Sequence, residues 1–498
     1  MLWLAFDVGT TGLKAGLVRQ LEDGTLTLEA HEMRPYATHT GAAGVVEQDA
    51  RDWWRAAVEA CLTLYRNSGE QPDAIALTGQ MQDTILLDSA GEPVRPVILY
   101  SDSRAVNESE TLSAALDMAA LGESVGSEQG PGGLLPKLMW LTANEPESAA
   151  RTAHLLLGAA DVLALRMTGA ACSDSTTAST TGLMHLAAGD WQPESVFAAA
   201  GLSDWRAKLP KLVRGGSQVG TLGEDAAEAL GIQAGIPVYL GAGDAGSTTI
   251  GAGCGEPGHA YLYVGTSGWA AMSVPVEARP PLASGVFALA HPDASRLFVI
   301  APLLTAGGNL AWIRGVTGST GVPYEDVIAA AVEREPTRLL YLPYLTGERS
   351  PFTDPAAAGA FIGVRAQHTP ADLTRAVLEG VAMAYRHILS SVLATLPANG
   401  LLMTGGGARS AAWGQIFADV LGIPVRRAAA LEHTGLLGAV ATAQAQQGDN
   451  GAYARLAAVE DAAYIETPRE AWRAHYDAQF ALYAQAYPAL KAIFAAQA

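Results

Sequence analysis

Residues 2–18 read LWLAFDVGTTGLKAGLV: an apolar run, a VGTTG turn bounded by glycines, and a second apolar run. Runs this short, broken by glycine, fit two strands joined by a tight turn and no helix. The same unit returns at residues 259–274, HAYLYVGTSGWAAMSV, about half a chain later. The repeat suggests two related domains facing one ligand. In a chain with 54 glycines a coincidence of this length is the alternative, and the sequence leaves both open.

A chain of 498 residues exceeds the size at which one hydrophobic core usually divides, so two domains are expected. Apolar residues make up 49% and charged residues 16%, the balance of a compact globular protein. The 50 acids outnumber the 31 bases for a net charge of -19, with no basic run to track a phosphate backbone. No nucleic-acid partner is expected, although an anion such as ATP could still be held locally by backbone amides and magnesium. Cys61, Cys172 and Cys254 form neither a pair motif nor a metal spacing, which points to a reducing compartment. Asp7 arrives too early for a signal-peptide core, and no apolar run is long enough to span a bilayer. The expected location is the cytoplasm, without a membrane partner.

Along the chain, EQDARDWWRAAVEACLTLY places Trp53, Ala57, Ala60 and Leu64 on one helical face, and AIALTG from Ala74 returns to strand. Such alternation predicts α/β architecture with a mixed sheet covered by helices. PGGLLPKLMWL from Pro131 reads as a loop feeding a helix, AHLLLGAADVLALRM from Ala153 as helix, and the hydroxyl-rich ACSDSTTASTTG after it as loop. LLMTGGGARSAAWGQIFADVLGIPV from Leu401 reads strand, glycine loop, helix, strand, and the region after Gly451 has helical periodicity.

The glycine motifs carry the chemistry. GAGDAG, Gly241 to Gly246, formally satisfies G-x-G-x-x-G, but the next strand ends in Gly265 and Thr266 where a ribose-binding acid is required. No P-loop motif occurs. Phosphate could instead be held by the two GT[TS]G turns, where backbone N–H groups and the hydroxyls of Thr10, Thr11, Thr266 and Ser267 converge; plain hairpin turns are the alternative. GGGARS, Gly405 to Ser410, lets a flat ligand approach the backbone before a helix. Asp7 and Asp244, each at a strand end beside a glycine loop, can supply one magnesium-side acid and one base. Phosphoryl transfer to an alcohol needs little else besides phosphate clamps and an acceptor held in line.

These motifs resemble those of the FGGY carbohydrate kinases, within the actin-like, ribonuclease H-like ATPase superfamily, and lie nearest to the xylulokinases of that family. AFDVGTTGLKAGLV resembles the family's first phosphate loop, GAGDAG its catalytic aspartate loop, YVGTSG its second phosphate loop and GGGARS its adenosine-side loop. PKLMWL fits the first family signature, GAFIGV with DLTRAVLE the second, and LPYLTGERSPF the segment that carries GER in xylulokinase-type members. The resemblance implies a two-domain actin-like fold with the active site in the interdomain cleft: residues 1–243 on the sugar side, 244–450 on the nucleotide side, and a helical segment 451–498 packing back on the body.

It further implies ATP and Mg2+ as cofactors, with Asp244 the general base and Asp7 the acid that helps hold the metal, both directly or through water. Thr10, Thr11, Gly12, Gly265, Thr266, Ser267 and Gly268 fall where phosphate is bound, and Gly405, Gly406 and Ala408 where adenosine rests. Lys14 either reaches phosphate or faces water. On the acceptor side Gln80, Met81 and Gln82 follow the third strand, with Gln82 where xylulokinases have histidine and Ala245 where they have asparagine. Asp102 in YSDSR binds a sugar hydroxyl, orients Arg104 or forms a surface ion pair. The expected reaction is phosphorylation of D-xylulose to D-xylulose 5-phosphate. Another pentulose, a deoxyketose or a pentitol such as ribitol is the alternative acceptor, and a non-catalytic actin-like ATPase switch the remote one. A homodimer rests on the resemblance alone.

Overall fold

In β1 (Leu2–Val8) the alternation of side chains decides both faces of a sheet. Leu2, Leu4, Phe6 and Val8 share a core with Trp53, Ala57 and Leu64 of α1 (Ala50–Ser68). Trp3 and Ala5 enter a different core on the opposite face. The helix starts where Asp49 accepts the Arg51 N–H and stops at Gly69, which turns left-handed. The computed structural model describes residues 1–281, 285–393, 396–397, 400–428, 433–458 and 464–497.

From β1 the VGTTG turn leads antiparallel into β2 (Gly12–Gln20), and β3 (Leu26–Pro35) extends the meander. β4 (Ala74–Gly79) lies parallel on the other side of β1. β5 (Met81–Leu87) leaves this sheet to pair antiparallel with β6 (His154–Gly158), which is followed by α2 (Ala159–Thr168). β7 (Ser217–Thr221) and β8 (Pro237–Leu240) complete the six-stranded order β7-β8-β4-β1-β2-β3, and α3 (Gly243–Thr249) follows directly.

The second sheet begins with β9 (Ala260–Val264), the VGTSG turn and β10 (Gly268–Pro275), then β11 (Phe287–Ala290) and β12 (Arg296–Leu303). Beyond α4 (Gly308–Val316) and α5 (Pro370–Val392) come β13 (Leu401–Thr404), α6 (Ala411–Leu421) and β14 (Val425–Arg427). With β15 (Ile465–Glu466), added after α7 (Thr434–Gln446), the order is β11-β12-β10-β9-β13-β14-β15. β9, β10, β12, β13 and β14 repeat β1, β2, β3, β4 and β8: an antiparallel meander with two parallel strands beside its first member. The repeat that the sequence left open is present in the topology, and the two glycine turns occupy equivalent places in it.

The second sheet is covered by α5 and α6, whose Val381 and Phe417 share a core with Leu262 and Met403. α8 (Glu470–Gln497) adds Tyr476, Tyr483 and Phe494 to the same core. α7 goes elsewhere: its Leu436, Ala439 and Val440 pack with Trp3, Ala5, Ala74 and Ala76 on the open face of the first sheet. Two α/β domains result, with one helix of the second half laid across the first. No helix among the described residues is long and apolar enough to cross a membrane.

Two local expectations are corrected. The stretch from Ala153 is not one helix, because His154–Gly158 is a strand with Leu155, Leu156 and Leu157 fully buried. A continuous apolar run in a strand covered on both faces has no period to distinguish it from helix. The hydroxyl-rich stretch is not loop: Cys172–Asp174 is a strand, and Asp174 accepts the N–H groups of Thr176 and Thr177 to start a short helix, Ser175–Ser179.

Candidate functional site

The antiparallel register of β1 and β2 sets Asp7 opposite Lys14, with Nζ 3.8 Å from Oδ2. Of the two roles open to Lys14, the structure gives it a carboxylate partner. Asp7 is buried, which raises its carboxyl pKa, while the Lys14 charge works against the rise. It points to the face covered by α7, where Gly435 allows a close approach: a β-carbon there would lie 2.7 Å from Asp7 Oδ2. At the turn itself the Gly9 N–H donates to the Gly12 carbonyl at 3.2 Å, leaving Thr10 half-buried and Thr11 exposed. Tyr36 Oη donates to the Gly9 carbonyl from behind.

Asp244 stands in the first turn of α3, directly after β8. Gly243 before it has φ of 55°, and any β-carbon there would meet Met81 Sδ at 2.5 Å. The chain can therefore turn tightly over Met81 and present Asp244 beside the end of β1. Burial pushes the Asp244 carboxyl up to about 7, and the Asp7 charge adds to the rise. The two acids are close enough for their charges to interact.

On the acceptor side, Gln82 adopts φ of 63° although it is not glycine. This is a costly backbone conformation for a residue with a β-carbon. Its Nε2 donates to the Gly132 carbonyl at 3.1 Å. Met81 is buried under Gly243, and Gln80 is 1% exposed with its Nε2 donating to Gln48 Oε1 at 3.0 Å. Asp102 is fully buried: its oxygens accept from Arg104 Nε, Arg104 Nη2 and the Val46 N–H. That geometry orients Arg104, which also donates to Glu47 at 2.7 Å, and excludes the surface ion pair.

Two residues that sequence reasoning missed lie next to these groups. Asp83 is fully buried, accepts the Tyr100 N–H at 3.2 Å, and is pushed well above the ordinary carboxylate range by burial against the opposing Lys137 charge. Burial pushes the Lys137 ammonium down to about 8, and it donates to the Leu99 carbonyl at 2.7 Å. An acid directly after GQMQ and a lysine inside an apolar helix were the available signals.

The second turn opens onto a cavity of about 720 Å³ lined by Gly265, Thr266, Gly308, Ala311, Tyr324 and Gly406 among others. Its size suits a nucleotide. Thr266 and Ser267 are exposed at the tip, with Gly268 buried at the start of β10. Gly405, at φ of 84°, turns the chain, and Gly406 lines the cavity. Ala408 does not line it: it is fully buried, and its carbonyl accepts from Arg427 Nη1 at 2.7 Å. Gly308, Ala311 and Tyr324 were missed, although AGGNLAW repeats the glycine-before-helix signal of GGGARS.

Among the described residues no group of three or more His, Cys, Asp or Glu could form a metal cage. Asp7 and Asp244 alone still fit magnesium, which typically takes one or two carboxylates and completes its shell with water and substrate phosphates.

Residues 2–251 match the N-terminal domain of the FGGY family of carbohydrate kinases and residues 260–446 its C-terminal domain. The chain is 33% identical over 428 residues to a protein of Escherichia coli K12 named xylulose kinase, covering 84% of this chain and 85% of that one. It is 32% identical over 429 residues to the Klebsiella pneumoniae protein of the same name, with 85% of each covered. The crystal structure of xylulose kinase from Rhodospirillum rubrum superposes with a TM-score of 0.90 at 27% identity, covering 99% of this chain and 100% of that one. The paired α/β domains are those typical of the actin-like ATPase fold. Matched through both of its halves, the chain belongs to the FGGY family of carbohydrate kinases and is an ATP-dependent kinase of a carbohydrate.

Proposed function

We propose that the protein transfers the γ-phosphoryl group of ATP to a hydroxyl of a small ketose, with D-xylulose the acceptor and D-xylulose 5-phosphate the product. The observation that carries this reading is Asp244, a half-buried carboxylate raised to about 7 by desolvation and by the Asp7 charge, in the turn over Met81. A base of that pKa accepts the hydroxyl proton as the oxygen attacks phosphorus, and is ionised in a useful fraction near neutral pH. Asp7 and Asp244 would hold magnesium, which when bound neutralises phosphate charge. The Thr10–Thr11 and Thr266–Ser267 turns would orient the phosphates, and the cavity at Gly308 and Tyr324 the adenosine. The acceptor would lie against Gln82 in the cleft between the domains, whose closure keeps water from competing for the phosphoryl group. The names of the relatives support the choice of xylulose.

A second acceptor reading, another pentulose, a deoxyketose or a pentitol, is favoured by Gln82 and Ala245, which change the donors and acceptors offered to the sugar. ADP release with magnesium-ATP against a panel of these acceptors, beside Asp244→Asn, decides between them. Highest kcat/KM for D-xylulose, lost in the variant, supports the first reading; another acceptor ahead by about tenfold, about 1.4 kcal/mol of transition-state preference, supports the second. Turnover that no acceptor stimulates refutes both.

A further inference from the structure

Gln48, in the short strand Val46–Gln48 just before α1, is fully buried and is surrounded by polar groups. Its Oε1 accepts from Trp53 Nε1 at 3.0 Å and from Gln80 Nε2 at 3.0 Å. Its Nε2 donates to the Thr10 carbonyl at 2.7 Å and to Thr38 Oγ1 at 2.7 Å. An indole nitrogen only donates and a peptide carbonyl only accepts, so the amide can face just one way. Both its hydrogens and both its lone pairs are used.

The Thr10 carbonyl is thus turned toward the buried Gln48 amide, and Thr38 Oγ1 also donates to it at 3.4 Å. In a trans peptide the following N–H points opposite to the carbonyl, so fixing this oxygen inward aims the Thr11 N–H outward, at the exposed tip of the first glycine turn. The other arm of the amide reaches Gln80, whose own N–H donates to the Val8 carbonyl at 2.8 Å and whose carbonyl accepts from Ala159 at 3.1 Å. Two residues on is Gln82 with its left-handed backbone.

We infer that Gln48 is a positioning residue that ties the first phosphate turn to the acceptor strand, so that the Thr11 N–H and the Gln82 side chain are held in one frame. The inference rests on the kinase reading of the site. Glutamate in its place would keep both bonds at Oε1 but set an oxygen against the Thr10 carbonyl, turning the peptide away. Methionine would keep the length and volume and lose all four bonds.

The test is calorimetric binding of a non-hydrolysable ATP analogue with magnesium to the full chain and to Gln48→Met, Gln48→Glu, Gln80→Met and the Gln48→Met/Gln80→Met double variant, with KM for ATP and for the best acceptor. Losing a buried, fully used amide is expected to weaken the nucleotide by about tenfold in Gln48→Met and further in Gln48→Glu. The double variant should be no worse than Gln48→Met, because the two amides act as one unit. Unchanged nucleotide affinity in Gln48→Glu, with only the melting temperature lowered, would reduce Gln48 to a packing residue and overturn the inference. So would additive effects, or a change confined to the acceptor KM. Should Gln48→Met not fold, Gln48→Glu and Gln80→Met carry the comparison. The nucleotide measurement does not depend on which sugar is accepted; failure of the unaltered protein to bind the analogue would instead count against the kinase reading itself.

Discussion

Gly435 of α7 lies against Asp7 of β1, so closely that a β-carbon at 435 would stand 2.7 Å from the Asp7 carboxylate. In a helix, alanine is ordinarily more stable than glycine by roughly 0.5–1 kcal/mol. Gly435→Ala is expected to invert this: Asp7 must move or α7 must lift. The expected outcome is a fall in kcat of about tenfold or more, with a lowered melting temperature, checked by steady-state kinetics and calorimetry. An active, more stable variant would show that Asp7 has no fixed position to lose.

Asp244 acts as base only when ionised, and its folded pKa is raised, so protonation removes activity as pH falls. kcat/KM is expected to drop tenfold per pH unit below about 7 and to level above it. Part of the rise comes from the charge of Asp7, so in Asp7→Asn the limb should move to lower pH in whatever activity remains. A pH–rate profile in the unaltered protein with its limb below about pH 5 would mean that an ordinary carboxylate, or another group, is the base.

Gln82 pays a backbone cost at φ of 63° that glycine would not. Gln82→Gly is expected to raise stability by about 1 kcal/mol while cutting acceptor kcat/KM by about tenfold. Thermal melting and acceptor kinetics on the same preparation check the trade; a variant that loses both would place Gln82 in packing.

Filling the second cavity separates the two substrates. Ala311→Trp puts an indole among Gly308, Tyr324 and Gly406. The ATP KM should rise by about tenfold or more with the acceptor KM nearly unchanged; a reversed pattern would put the nucleotide elsewhere.

Asp102 is buried beside Arg104, whose side chain is 6% exposed. Asp102→Ala strips the guanidinium of its main partner and leaves Glu47, so a loss of about 3 kcal/mol in urea unfolding is expected. A loss under about 1 kcal/mol would show that Glu47 suffices alone.

The strand-turn-strand units were legible because glycine turns between apolar runs leave few alternatives, and Asp7 and Asp244 were legible as acids fixed beside such turns. The order of the strands was not, since β4 and β13 join their sheets by parallel pairing across long intervals, which no local pattern encodes. Ala408 was assigned to the nucleotide through the resemblance of GGGARS to a family loop, yet a small residue after a turn is as easily buried as exposed. Asp83 and Lys137 escaped notice because their importance lies in burial, which an acid and a lysine do not announce. Gln48 escaped for the same reason: an amide in a short strand gains meaning only when Trp53, Gln80 and Thr10 are brought around it.

The placement of α7 also fixes when the first domain can be completed during synthesis. A nascent chain that has emerged through β8 holds its whole first sheet, yet Trp3, Ala5, Ala74 and Ala76 remain uncovered until Leu436 and Val440 leave the ribosome. At roughly 5–20 residues per second that wait is on the order of ten seconds or more, long enough for an apolar sheet face to meet another nascent chain. Until then the first domain exposes this apolar face, and a gene cut between the two sheets yields a fragment without the helix that packs on it.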